Sequence, residues 1–80
     1  MIKLIETDLP EVLIIDTEVY SDDRGFFLES YNIAAFQEVG LPTNFVQDNH
    51  SRSAQGVLRG LHYQHPQWQG KLVRAVVGKV

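Results

Sequence analysis

The side chains best suited to chemistry crowd into two neighbouring stretches, Gly56-Val-Leu-Arg-Gly-Leu-His-Tyr-Gln64 and Gln69-Gly-Lys-Leu-Val-Arg74. Three of them differ in kind. His62 is a histidine, whose unperturbed pKa lies near neutral pH and suits a proton acceptor. Lys71 offers a positive charge with three donors and no lone pair, so while charged it cannot ligate a metal. Arg59 presents a planar fork that grips phosphate oxygens in a way an ammonium cannot. Each has an ordinary alternative. A single histidine in a strand is usually a hydrogen-bonded or surface residue, and a lysine at a strand start is usually a solvated charge. Arg74 has the opposite parity from Lys71 and reads as structural, while His50 and His65 read as polar loop residues. A His62–His65 metal pair is disfavoured, because odd spacing puts the two on opposite strand faces. Gly70-Lys71 is no phosphate-binding loop, since no GxxxxGK[ST] surrounds it.

These residues need elements to hold them. Val57 to Gln64 is predicted as one strand and Lys71 to Val80 as another, joined by the turn His65-Pro-Gln-Trp-Gln-Gly70. Strict alternation would put Arg59 and His62 on opposite faces of the first. They share a pocket only if the strand is bulged, and Gly60 between them is the residue that permits a bulge, so one is predicted there. Upstream, Pro10 ends an opening segment and Val12 to Ile15 reads as a buried strand. Asp22-Asp23-Arg24-Gly25 is turn chemistry. Phe26 to Tyr31 is predicted as a strand with Phe27 and Glu29 on one face, and Asn44 to Asn49 as a strand with Phe45, Gln47 and Asn49 on one face. One helix is expected, capped by Asn32, with Ile33, Phe36 and Val39 inward and Gly40 ending it before Pro42. Short strands separated by Gly, Pro and polar clusters point to an all-β sandwich or barrel. A jelly roll needs about eight strands. About five would leave unpaired edges and an uncovered apolar face, so a partial, truncated unit or one completed by another chain is expected.

The stretch from Gly56 also bears comparison with the cupin metal motif G-x5-H-x-H-x3-4-E-x6-G. His62 stands at the first ligand position, but Gln64 replaces the second histidine, and Lys71, separated from Gly78 by six residues, falls near the expected glutamate. A fixed cation there could polarise a carbonyl without a metal. More specifically, the strings "DDRGFFLESYN", "FVQDNHS", "VLRGLHYQ" and "QGKLVR" resemble those of the dTDP-4-dehydrorhamnose 3,5-epimerases, in order and over nearly the whole chain. The resemblance implies a metal-free cupin, of which residues 1–80 are the N-terminal part of a single domain. The fold class it implies is an all-β partial cupin or jelly-roll sandwich with one short helix.

The family epimerises C3 and C5 of a 4-keto sugar carried on dTDP. Breaking a C–H bond beside a ketone needs a base at the carbon and a cation or hydrogen-bond donor at the oxygen, where the enolate charge collects. By resemblance His62 is the catalytic base and Lys71 the stabiliser of the enolate oxygen. Arg24, Glu29, Gln47, Asp48, Asn49 and Arg59 match substrate-binding positions, Arg59 as a phosphate or sugar contact. No cofactor is implied. The implied substrate is a dTDP-4-dehydro-6-deoxy-glucose type nucleotide sugar. The implied full-length state is a homodimer in which the N-terminal region reaches the neighbouring subunit's site. The family's acid, a tyrosine, lies beyond residue 80, and none of Tyr20, Tyr31 and Tyr63 matches it, so this stretch alone is expected to lack the opposing acid. A non-catalytic nucleotide-sugar-binding or oligomerisation module is the alternative.

Bulk properties fit a soluble globular protein. The chain has 80 residues, 44% of them hydrophobic, and a net charge of −3, so no global basic field attracts nucleic acid. Phosphate must be met by locally placed cations. Without cysteine neither a disulfide nor a thiolate zinc site forms. Apolar runs are too short to span a bilayer, and Glu6 and Asp8 break up any signal-like stretch. A cytoplasmic location with no membrane or nucleic-acid partner is expected.

Overall fold

The computed structural model describes residues 2–80. The chain divides into two units, Met1–Asn49 and His50–Val80.

In the first unit, β1 (Ile2–Glu6) and β2 (Leu13–Thr17) form an antiparallel pair running from Ile2↔Thr17 to Glu6↔Leu13. Side chains alternate faces along a strand. Ile2 and Leu4 are half-buried opposite Thr17 and Ile15, while Lys3 faces Asp16 on the outer side. The connection is held by local polar groups. Pro10 sits second in a turn closed by Val12 N–H donating to the Leu9 carbonyl at 3.0 Å, the turn position its fixed φ favours. The Thr7 hydroxyl spans the same loop, accepting from Leu9 N–H at 3.2 Å and donating to the Val12 carbonyl at 2.7 Å.

β3 (Val19–Asp22) and β4 (Gly25–Leu28) form a second antiparallel hairpin with a two-residue loop at the expected turn. β2 replaces the strand expected from Val12, whereas β1 and β3 are additional to the expected ones. β4 is shorter than expected. Leu28 pairs with Val19, the first residue of β3, so no residue of that strand lies opposite Glu29, and Glu29 falls beyond the ladder.

α1 (Ile33–Glu38) follows. The Asn32 side chain accepts from Ala35 N–H at 3.0 Å, satisfying one of the donors a helix start leaves unpaired. At the other end Leu41 N–H donates to the Phe36 carbonyl at 2.9 Å and Gly40 N–H to the Gln37 carbonyl at 3.1 Å, a Schellman closure. Gly40 has φ +81°, the left-handed conformation this closure needs. Phe36 is 1% exposed and is the one buried hydrophobic side chain among the described residues. Tyr31 meets it edge-on with ring centroids 4.6 Å apart, touches Phe45 at 6.2 Å and donates its hydroxyl hydrogen to the Thr43 carbonyl at 3.2 Å. Val39 is half-buried, but Ile33 is exposed, contrary to the inward position expected of it. A helix of under two turns has one contact point, and Phe36 occupies it.

In the second unit no helix or strand forms among the described residues. A turn spans Ala54 to Val57, with Val57 N–H donating to the Ala54 carbonyl at 3.2 Å. Gly56, third in that turn, has the positive φ of a type II turn, +83°. His65 and Trp68 meet edge-on at 5.0 Å in the loop around Pro66. The strands expected at 57–64 and 71–80 are absent, as is the one at 44–49 in the first unit. A strand is defined by pairing, and these segments find no ladder partner among the described residues. Their apolar side chains are correspondingly bare: Leu58 is 91% exposed and Leu61 fully so. Gly60 does break the extended course with φ +126°, but with no strand there is no bulge for it to make. The fold is all-β with one short helix, two small sheets and no closed barrel among the described residues, as a partial jelly-roll sandwich requires. No described helix is long and apolar enough to cross a membrane.

Candidate functional site

The first unit carries five of the eight candidate residues. Arg24 is the second loop residue of the β3–β4 hairpin, so its side chain is displayed by one of the tightest turns a chain can make. Asp22 holds it from both sides of the peptide. One carboxylate oxygen, Oδ1, accepts from the Arg24 backbone N–H at 2.9 Å. The other, Oδ2, accepts from Nε at 3.0 Å and from Nη2 at 2.5 Å. The Arg24 side chain nevertheless stays 90% exposed. The guanidinium and the backbone hydrogen bond together hold the Asp22 carboxyl below its usual pKa. Arg24 lines an open hollow of about 290 Å³ with Tyr20, Asp22, Gly25, Phe26 and Phe27.

Glu29 is exposed just past the end of β4. Its charge reaches the hairpin. The Tyr20 hydroxyl is held above its usual pKa first by a hydrogen bond to Glu18, then by the Glu18 charge, with a smaller contribution from Glu29. Two carboxylates beside one phenol disfavour a third negative charge.

Gln47 and Asn49 are joined directly, Gln47 Nε2 donating to Asn49 Oδ1 at 3.3 Å. The strand expected to put them on one face does not form, and this hydrogen bond is what links the two side chains. Asp48, between them, is exposed.

The second unit carries Arg59, His62 and Lys71, all exposed. Arg59 is fixed locally, with Nε donating to Ser53 Oγ at 2.9 Å and Nη2 to the Arg52 carbonyl at 3.4 Å. The polar run from Ser51 thus works as a brace for that arginine. Neither His62 nor Lys71 takes part in a hydrogen bond or ion pair among the described residues, and none joins them to each other. No three His, Cys, Asp or Glu side chains among the described residues gather as a metal site.

Two supporting residues escaped the sequence. Asp22 reads there as turn chemistry only, and Ser53 is not singled out. The signal that identifies Asp22 is the Asp-x-Arg spacing across a two-residue hairpin loop, which lets one carboxylate serve both the backbone and the side chain of the arginine.

Comparison with known proteins bears on the whole of this arrangement. The family pattern of dTDP-4-dehydrorhamnose 3,5-epimerase matches residues 6–80. A protein of that name from Pseudomonas aeruginosa (strain PAO1) is 61% identical over 79 residues, covering 98% of this chain and 44% of the relative. One from Methanothermobacter thermautotrophicus is 54% identical over 78 residues, covering 98% of this chain and 42% of the relative. A dTDP-4-dehydrorhamnose 3-epimerase from Streptomyces niveus is 41% identical over 68 residues, covering 82% and 33%. The chain therefore spans less than half the length of these curated relatives.

Proposed function

Because the chain belongs to the dTDP-4-dehydrorhamnose 3,5-epimerase family, we propose that the full-length protein built on it inverts C3 and C5 of a dTDP-linked 4-keto-6-deoxy sugar, on the way to dTDP-rhamnose. The observation that carries this reading is the family match, which spans residues 6–80.

The chemistry follows from what must happen to the ketone. His62 takes the proton from the carbon beside the carbonyl, the general-base role an imidazole commonly fills. The electron pair moves into the enolate, and Lys71 meets the charge that builds on the oxygen. An ammonium suits that role since its three donors need no metal to act. Arg59 grips the diphosphate or sugar, braced by Ser53, so less conformational freedom is lost when ligand arrives. Arg24, Glu29, Gln47, Asp48 and Asn49 are further substrate contacts in this reading. Inversion needs a proton returned on the opposite face, and that acid is supplied from outside these residues. In the proposed assembly, a cytoplasmic homodimer, the hairpin bearing Arg24 serves the neighbouring subunit's site.

Solvent exchange tests the assignment. The full-length protein in deuterated water should incorporate deuterium at C3 and C5 of the keto-sugar, and His62→Ala should not. Exchange at the wild-type rate in that variant removes His62 as the base. The site of labelling also decides between epimerisation at both carbons and at C3 alone, the reaction named for the Streptomyces niveus relative. Label at C3 only would favour the narrower activity.

A further inference from the structure

Resting on the reading of Arg24 as a substrate contact, we propose that Asp22 is the positioning residue that presents Arg24 to an anionic ligand, leaving the outer edge of the guanidinium for a phosphate group. Asp22 uses its two oxygens differently. Oδ1 caps the loop at the Arg24 backbone N–H, and Oδ2 takes Nε and Nη2 along one edge of the guanidinium. Arginine has five N–H donors in a rigid fork. With the Nε–Nη2 edge engaged, the Nη1–Nη2 edge keeps donors in the plane and spacing that match two phosphate oxygens. The side chain is 90% exposed, which leaves that edge open to a ligand, and Arg24 is among the residues lining the hollow with Tyr20 and Phe27.

Two effects of the carboxylate oppose each other. Its negative charge repels an incoming anion, but across the width of a guanidinium in salt water that repulsion changes affinity by about twofold. Holding a long, rotamer-rich side chain in its binding geometry before the ligand arrives is worth roughly two- to tenfold in affinity. Preorganisation therefore wins, and removing the grip weakens binding.

The experiment uses the full-length protein and steady-state kinetics with the dTDP-linked keto-sugar. Asp22→Asn is the informative change, because the amide oxygen can still cap the Arg24 N–H while the charged grip on the guanidinium is lost. The expected result is a rise in KM of about two- to tenfold, kcat within about twofold, and at most a small fall in melting temperature, since the ion pair is exposed. Arg24→Gln should raise KM by at least as much, and adding Asp22→Asn to it should do nothing more, the non-additivity of residues acting through one another. An unchanged or lowered KM in Asp22→Asn, with Arg24→Gln impaired, overturns the role of Asp22 alone. An unchanged KM in Arg24→Gln overturns the substrate contact and the role of Asp22 with it. Additive effects in the double variant would show that Asp22 acts by a route other than Arg24.

Discussion

Replacing Phe36 by alanine removes the ring on which α1 is anchored. Phe36 is 1% exposed, and Tyr31 packs edge-on against it at 4.6 Å. Truncating a fully buried phenylalanine costs about 3–5 kcal/mol, through lost transfer energy and the cavity left behind. The edge contact with Tyr31 is worth about 0.5–1.5 kcal/mol and is lost in the same step. Ile33 supplies the internal control. It is 54% exposed, so roughly half of the 1.5–3 kcal/mol of a buried aliphatic side chain is at stake, about 1 kcal/mol. The better helix propensity of alanine offsets a few tenths of that. Phe36→Ala should therefore destabilise several times more than Ile33→Ala, although hydrophobic periodicity alone treats the two positions alike. Urea unfolding of the full-length protein, followed by circular dichroism, measures both. A Phe36→Ala cost below about 1 kcal/mol, or an equal cost at the two positions, would refute the packing described for this helix.

Other outcomes follow from local geometry. Asn32→Ala should cost about 1 kcal/mol in the same unfolding assay, through loss of the cap on Ala35 N–H. Gly40→Ala should cost about 1–2 kcal/mol from φ alone, because an added Cβ would meet nothing within 4 Å, and a smaller loss in Gly40→Asn would confirm the backbone origin. The folded-state pKa of Asp22 lies below its ordinary value of 3.8. A depressed carboxyl pKa contributes stability above the unfolded value, and that contribution fades as pH falls through the folded one. The Arg24 amide resonance should therefore titrate together with Asp22 at a midpoint below that ordinary value. A midpoint above the ordinary value would contradict the ion pair. Tyr20 should ionise later than a free phenol in ultraviolet titration, and Glu18→Gln should bring it back toward 10.0.

The parts of the fold that announce themselves in the sequence are those specified by near neighbours. The Asn32 cap, the Gly40 stop and the Asp22–Gly25 turn each depend on groups within a few residues. β1 and β3 were not legible for the opposite reason. Val19–Asp22 is exposed throughout and gives no alternating apolar signal, and only pairing with Gly25–Leu28 makes it a strand. The same dependence explains the strands expected at 44–49, 57–64 and 71–80. Their apolar and β-branched content states a preference, but preference becomes a strand only beside a partner. In the candidate site, the residues from Arg24 to Lys71 are named in the sequence by their type and by the family resemblance. The hydrogen bonds that brace the arginines are not, since Asp22 and Ser53 are unremarkable in composition and acquire meaning only from where the backbone turns.

The bare side chains of the second unit bear on how this polypeptide behaves in a test tube. Leu58, Leu61, Val77 and Val80 are each at least 91% exposed, and every one forgoes about 1.5–3 kcal/mol of burial. Handled as an isolated peptide it should be adhesive, taking up fluorescent dyes that seek greasy surfaces and clumping as it is concentrated. Mild detergent, or expression with whatever normally packs over these side chains, should keep it dispersed.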